Sequence, residues 1–116
     1  EPEQVSDCLF CKIIQGTIPS SKVYEDERYF AFNDISPQAP THILVVAKTH
    51  VDKIASMTDE DCAMVGGLFR TAAKICAEKK IDDYRLVINN GAGVGQSVFH
   101  IHLHILAGRP MGWPPG

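Results

Sequence analysis

The stretch His100-Ile101-His102-Leu103-His104-Ile105-Leu106 decides the fold, because it sets three of the chain's five histidines at every second position. In a β-strand successive side chains point to opposite faces, so residues i, i+2 and i+4 share one face. His100, His102 and His104 then form a row, and Ile101, Leu103 and Ile105 line the opposite, buried face. On a helix the same imidazoles would spread around the axis at about 200° intervals. The spacing predicts a strand with an exposed, reactive histidine face.

Such a row has three uses. Neutral imidazole is the commonest metal ligand. However, the outer two Cα atoms lie about 13 Å apart in an extended strand. With Zn–N bonds of only about 2.0–2.1 Å, one metal on all three is strained, and one on two of them is feasible. Alternatively, one imidazole attacks an electrophile while its neighbours move protons or orient it. A polar strand face without chemistry is the weakest of the three, given the clustering.

Working outward, Arg85-Leu86-Val87-Ile88-Asn89-Asn90 reads as a strand that ends in Gly91-Ala92-Gly93-Val94-Gly95-Gln96-Ser97. Joined by that loop, it and the histidine strand should form an antiparallel hairpin. Glycines let backbone N–H groups approach an anion. A dinucleotide fingerprint would need a helix after the glycines, and a strand follows here. Taken alone the loop is a flexible connection; beside three histidines a phosphate cradle becomes the more attractive reading.

Thr41-His42-Ile43-Leu44-Val45-Val46-Ala47 is the best interior strand. His42 at its start is either a satisfied core histidine or part of a site, and His50 alone reads as a loop histidine. Val23-Tyr24 and Tyr29-Phe30-Ala31-Phe32 are strands around the polar turn 25–28. Residues 33–40 form a loop punctuated by Pro37 and Pro40. Asp34 there is first a turn residue, although a carboxylate can also clamp a ribose diol.

Upstream, Ser6-Asp7 can cap a short helix over 8–15, with Gly16 at its C-terminal end and Pro19 preventing continuation. Cys8 and Cys11 are neighbours on one face of it. The pair is half of a zinc site, a redox dithiol, or two small buried residues; without a βαβ context the redox reading ranks last. Thr58 opens a long helix to about Lys80, acidic at its start and basic at its end. Its apolar stripe is Cys62, Val65, Leu68 or Phe69, Ala72, Ala73 and Ile75-Cys76, so Cys62 and Cys76 read as small core residues. Gly66-Gly67 costs about 1 kcal/mol per glycine relative to Ala in mid-helix, and close packing is the expected compensation. The tail from Arg109 to Gly116 resembles polyproline and carries the sole Trp, so it should pack across a surface, such as that of a second subunit.

At 116 residues, 45% hydrophobic and 22% charged, the chain is expected to be a single domain over 1–116, with 1–6 flexible and 107–116 a tail. A net charge of −3 with scattered basic residues gives no support for nucleic-acid binding. No apolar run approaches the roughly 18 residues of a membrane span. Glu1-Pro2-Glu3-Gln4 lacks the positive and apolar regions of a signal peptide. Four cysteines without a dense framework point to reduced thiols or metal ligands and a cytoplasmic location.

The pattern His-φ-His-φ-His-φ-φ, with φ hydrophobic, resembles the signature of the histidine-triad (HIT) nucleotide-binding superfamily. Residues 34–42 (Asp-Ile-Ser-Pro-Gln-Ala-Pro-Thr-His), Gly95-Gln96-Ser97-Val98 and Trp113-Pro114-Pro115-Gly116 resemble its Hint branch. The likeness covers nearly all of the chain from Cys8 onward. It implies an α+β fold: an antiparallel five-stranded sheet with one long and one short helix, dimerised into a continuous sheet.

It also implies hydrolysis of purine nucleoside 5′-phosphoramidates. His102 would attack the α-phosphorus, and water would hydrolyse the nucleotidyl-histidine to a nucleoside monophosphate. His104 and Ser97 would contact phosphate oxygens or the leaving group, and His42 would support the nucleophile's hydrogen-bond network. Backbone N–H groups around Gly95, Gln96, Ser97 and Val98 would stabilise developing charge. Asp34 would bind the ribose and Asn89 the phosphate. Leu9, Phe10, Ile13, Phe32, Ile35 and Leu44 would enclose the purine, and Trp113 would approach the partner subunit's site. The Cys8/Cys11 pair is similar to that of zinc-containing HIT proteins, which implies a structural Zn²⁺ held by Cys8, Cys11, His50 and His100; catalysis requires no metal. The alternatives are dinucleoside polyphosphate hydrolysis, disfavoured by the Trp-Pro-Pro-Gly terminus, and a nucleotide-sensing or partner-binding protein with little turnover.

Overall fold

A computed structural model describes residues 7–116. Its elements in chain order are α1 (Leu9–Gln15), β1 (Lys22–Glu25), β2 (Tyr29–Asn33), β3 (Thr41–Ala47), α2 (Cys62–Glu78), β4 (Arg85–Val87) and β5 (His102–Ala107). The five strands form one sheet in the order β1-β2-β3-β5-β4, and every neighbouring pair is antiparallel. None of the described helices is long and apolar enough to cross a membrane.

Strand alternation sorts the side chains into two cores. Tyr29 and Ala31, Ile43, Val45 and Ala47, and Leu103 and Ile105 point to one face, where Leu68, Ala72, Ile75 and Cys76 of α2 cover them. Phe30 and Phe32, with Leu44 and Val46, point to the other, where Phe10, Cys11 and Ile13 of α1 close over them. A strand covered on both faces cannot alternate apolar with polar, which is why β3 is aliphatic almost throughout.

The histidine row takes its place on the α1 face, as its spacing predicts. It is not exposed: His100 and His102 are buried at 0% and 6% accessibility, because α1 lies over that face. The regular ladder also starts only at His102. β4 ends at Val87, three residues short of the expected Asn90, and a long link returns to β5. Gly91 and Gly95 in that link adopt φ of 106° and 109°, conformations that break a strand and form a turn over Ala92–Val94. The inward side chain of Gln96 then pins the loop, accepting from Gly91 N–H at 2.8 Å and donating to the carbonyls of Asp52 and Val98 at 2.8 and 3.1 Å.

The short helix begins differently from the sequence expectation, whereas Thr58 caps the start of the long one as expected. Cys8 is the N-cap of α1, its sulfur accepting from Cys11 N–H at 3.4 Å, while Gly16 ends the helix at φ 83° as expected. Asp7 makes no cap, and Ser6 and the segment 1–6 lie outside the described residues. The long helix opens with a tight turn over Asp59–Asp61, where the Asp61 carboxylate accepts from Thr58 N–H at 2.8 Å. It ends at Glu78, with Lys80 in the left-handed region at φ 60°. Leu68 rather than Phe69 faces the core, and Cys62, on the same flank of α2 as Phe69, is exposed.

Gly67 has a clear steric reason, since a Cβ there would overlap the Tyr29 ring and hydroxyl. Tyr29 donates to the Met64 carbonyl at 2.8 Å, so the ring is held against the helix. Gly66 has open space above it and no such requirement. Gly67→Ala should lower stability by about 1–3 kcal/mol through overpacking. Urea unfolding measures it, and an unchanged or raised midpoint would contradict the close approach.

Candidate functional site

The α1 face carries two side-chain clusters that share the histidine row. The first joins Cys8 and Cys11 from α1, His50 from the turn after β3, and His100 from just before β5. The His50 and His100 Nδ1 atoms are 3.2 Å apart. Cys8 Sγ lies 3.3 Å from His100 Nδ1, and Cys11 Sγ lies 3.5 and 3.6 Å from the Nδ1 atoms of His50 and His100. A tetrahedron with Zn–N of about 2.0–2.1 Å and Zn–S of about 2.3 Å has N···N edges near 3.3 Å and S···N edges near 3.5 Å. The residues therefore fit a tetrahedral metal ion of this size.

Protonation chemistry agrees with that fit. Burial, together with Cys8, pushes the Cys11 thiol up to about 12, so a buried thiolate needs a cation to form. Burial lowers His50 and takes His100 down to about 4, leaving neutral imidazoles able to ligate. His100 Nε2–H donates to the Ala47 carbonyl at 2.7 Å, which fixes its tautomer and keeps Nδ1 free.

The second cluster holds the remaining histidines. In the β3–β5 register His42 opposes Leu106 and Leu44 opposes His104, so His42 and His104 are diagonal neighbours on one face. Their Nε2 and Nδ1 atoms come within 2.9 Å. Gln38 N–H donates to His42 Nδ1 at 3.0 Å, and Asp34 Oδ2 lies 3.4 Å from His42 Nε2. This Asp–His pair is not an ion pair: a backbone donor on Nδ1 requires a lone pair there, so His42 is neutral. Burial lowers His42 as well, against the opposing pull of Asp34.

His102 sits between the two clusters. Its Nδ1–H donates to the His100 carbonyl at 2.7 Å, which leaves a lone pair on Nε2. Phe10 meets the ring edge-on at 4.9 Å between centroids, and the His104 ring lies 5.0 Å away. Burial lowers His102 and takes His104 to about 4. His104 Nε2 is a buried nitrogen without a hydrogen-bond partner among the described residues. A neutral nucleophile geometry and an unused polar atom thus face the same side of the sheet.

The other residues singled out in the sequence divide into groups. Phe10, Ile13, Phe32 and Leu44 lie together in the core under α1. Leu9, Ser97 and Val98 line a cleft of about 510 Å³ beside His50 and Cys8. Asp34 does double duty, since its Oδ1 accepts from Ser36 N–H at 2.8 Å and so shapes its own turn. Asn89 lies beside Gly95, where a Cβ would come 3.9 Å from its Nδ2.

Of the four loop amides, those of Gly95 and Gln96 are spent on the carbonyls of Ala92 and Gly91. Those of Ser97 and Val98 have no protein partner among the described residues. Ile35 and Trp113 join neither cluster, being 97% and 83% exposed. Trp113 stacks near Arg85, whose guanidinium carbon is 6.0 Å from the ring centroid and whose Nη1 donates to the Gly112 carbonyl. Sequence reading missed the Gln38 amide and the Ala47 carbonyl, for a plain reason: backbone groups carry no residue-type signal.

Comparison with known proteins matches residues 15–111 to the HIT domain family. An uncharacterized HIT-like protein of Synechocystis sp. is 51% identical over 111 residues, covering 95% of this chain and 97% of that protein. A 14 kDa zinc-binding protein of Zea mays is 46% identical, covering 96% and 89%. Among solved structures, a HIT family hydrolase from Legionella pneumophila superposes with a TM-score of 0.91 at 47% identity, covering 95% of this chain and all of that one. A histidine triad protein from Clostridium difficile gives 0.88 at 47% identity, covering 91% and 94%.

The four-residue cluster yields a direct expectation. Metal analysis of the purified chain should find one zinc per chain, and Cys11→Ser should reduce that content and lower the melting temperature. Absence of stoichiometric metal in the wild type, with both cysteines reduced, would contradict the assignment.

Proposed function

Because this chain belongs to the HIT domain family, we propose that it hydrolyses the P–N bond of purine nucleoside 5′-phosphoramidates through a nucleotidyl-histidine intermediate. The observation that carries this reading is the His102 tautomer. With Nδ1–H given to the His100 carbonyl at 2.7 Å, Nε2 holds a lone pair, and burial keeps the ring neutral at physiological pH. His102 Nε2 attacks the α-phosphorus and the amine departs with its bonding pair and a proton. Water then attacks the phosphorus of the adduct, releasing a nucleoside monophosphate and the free imidazole. Splitting one displacement into two suits a nitrogen nucleophile of this kind.

His104 and Ser97 serve the phosphate oxygens and the leaving group. The Ser97 and Val98 amides supply donors for charge that develops in the transition state. Asp34 binds the ribose hydroxyls through the oxygen not committed to its own turn, and Asn89 holds the phosphate. Phe10, Ile13, Phe32 and Leu44, with Leu9 and Ile35 at the rim, wall the purine. Cys8, Cys11, His50 and His100 hold a structural zinc, which when bound fixes α1 and His100 and takes no part in the chemistry.

We place the activity in a cytoplasmic homodimer with the character of the Hint branch, one HIT domain per chain and neither nucleic acid nor membrane as partner. The open edge at β4 and the exposed Cys62 and Phe69 on α2 support an interface between copies. In such a dimer Trp113 reaches the partner's site and influences leaving-group choice.

The reading is tested by assaying an adenosine 5′-phosphoramidate and a dinucleoside polyphosphate side by side. The wild type should prefer the phosphoramidate, and His102→Ala should lose at least about 10⁴-fold in kcat, the size of effect seen when a nucleophile is removed. Full turnover in the variant would sink the covalent route. Nucleotide binding without any cleavage by the wild type would favour a sensor.

A further inference from the structure

The unpartnered nitrogen of His104 has a traceable cause. Gln38 N–H donates to His42 Nδ1 at 3.0 Å, so that nitrogen must be the acceptor and the His42 proton must sit on Nε2. His42 Nε2 faces His104 Nδ1 at 2.9 Å and therefore donates to it. His104 Nδ1 is then the acceptor, and the His104 proton must sit on Nε2, the buried nitrogen with no partner. Reversing the direction would set two N–H groups head to head at Gln38. A backbone amide cannot change its role, so the chain runs one way only.

The residue that carries this amide is itself held, through its carbonyl. Arg109, two residues past the end of β5, donates through Nε to the Gln38 carbonyl at 3.0 Å and through Nη1 to the Pro110 carbonyl at 3.0 Å. Just before it, Gly108 turns at φ 98° so close to Pro40 that a Cβ would lie 2.8 Å from the proline ring. Gln38 Nε2 donates to the Ser36 carbonyl at 3.0 Å, tightening the same loop. The strand that bears His102 and His104 thus reaches back to grip the loop that orients them. Asp34 Oδ2, 3.4 Å from His42 Nε2, is the competing acceptor that this grip keeps in second place.

We infer that the Gln38 N–H, on a residue whose carbonyl Arg109 holds, sets the tautomers of His42 and His104 and so presents the His104 Nε2–H as a donor to the phosphate oxygen or departing nitrogen. Gln38 and Arg109 are positioning residues acting through the two imidazoles. The inference deepens the reading of His104 given above and rests on it for its part in turnover; the tautomers themselves do not depend on the substrate.

The test is ¹⁵N NMR of the full, metal-replete, substrate-free chain labelled in histidine, paired with phosphoramidate kinetics. In the wild type His42 and His104 should each show a protonated Nε2 and an unprotonated Nδ1. Arg109→Ala should move His104 toward a mixture of tautomers and lower kcat about tenfold with KM changed less than about twofold, the pattern of a lost outer orienting group. Arg109→Lys should recover part of both. Gln38→Pro, which removes the N–H itself, should have the larger effect on the ring nitrogens.

A wild-type His104 protonated on Nδ1 overturns the inference, as do unchanged rings in both Arg109→Ala and Gln38→Pro. Rings that shift with no loss of turnover overturn the positioning role. A wild type that cleaves no phosphoramidate fails the reading of function instead, and the ring-nitrogen arm still decides the tautomers.

Discussion

The structure depends on His100, a fully buried residue whose two ring nitrogens and backbone carbonyl are committed. Its Nδ1 meets Cys8, Cys11 and His50, its Nε2–H goes to the Ala47 carbonyl, and its own carbonyl accepts the His102 Nδ1–H. Burying such a polar side chain unpaired would cost free energy on the scale of a lost hydrogen bond or more. With both ring nitrogens and the carbonyl engaged, the residue instead ties the first helix, the end of β3 and the neighbouring histidine to one point. A perturbation at the cysteine pair is therefore one residue away from the imidazole that faces the site. The histidine beside the cysteines and the one that faces the second cluster are separate residues, yet they share a backbone.

The sheet makes this division workable. Alternation puts Ile101, Leu103 and Ile105 against the long helix and leaves the histidines facing the short one. Seven residues of α1 are enough to cover that face because Phe10 packs edge-on against His102 and T-shaped on Phe32. Burial then lowers every imidazole of the row, so the row itself carries no charge before substrate arrives. Neutral nitrogens can attack or accept, and an anionic phosphate would find no cationic imidazole in the row. Its charge would meet the Ser97 and Val98 amides rather than a resident cation.

Much of this was legible in residue order. The period-two histidines gave the strand and its two faces, the aliphatic 41–47 run gave the central strand, and Cys8 and Cys11 marked a half-site. What the period could not show was that a helix closes over the histidines, since the cover is contributed by residues some ninety positions away. The boundaries of β4 and β5 depended on left-handed glycines and on the inward turn of Gln96, a polar residue that reads as loop surface. Cys62 looked like core because it falls near the helical stripe, but it shares the exposed flank of Phe69 two turns on, and Met64 and Val65 make the first turn's core contacts. The orienting amide at Gln38 was invisible in principle, because any non-proline residue carries one.

The central claim, that this row of imidazoles is divided and His102 alone attacks, is tested most directly by trapping the covalent adduct. Rapid quench of the wild type with a phosphoramidate labelled in its nucleotide, followed by peptide mapping, should place one nucleotidyl group on His102. A label on His104, His42 or His100, or turnover that proceeds with no labelled protein at any time point, would contradict it.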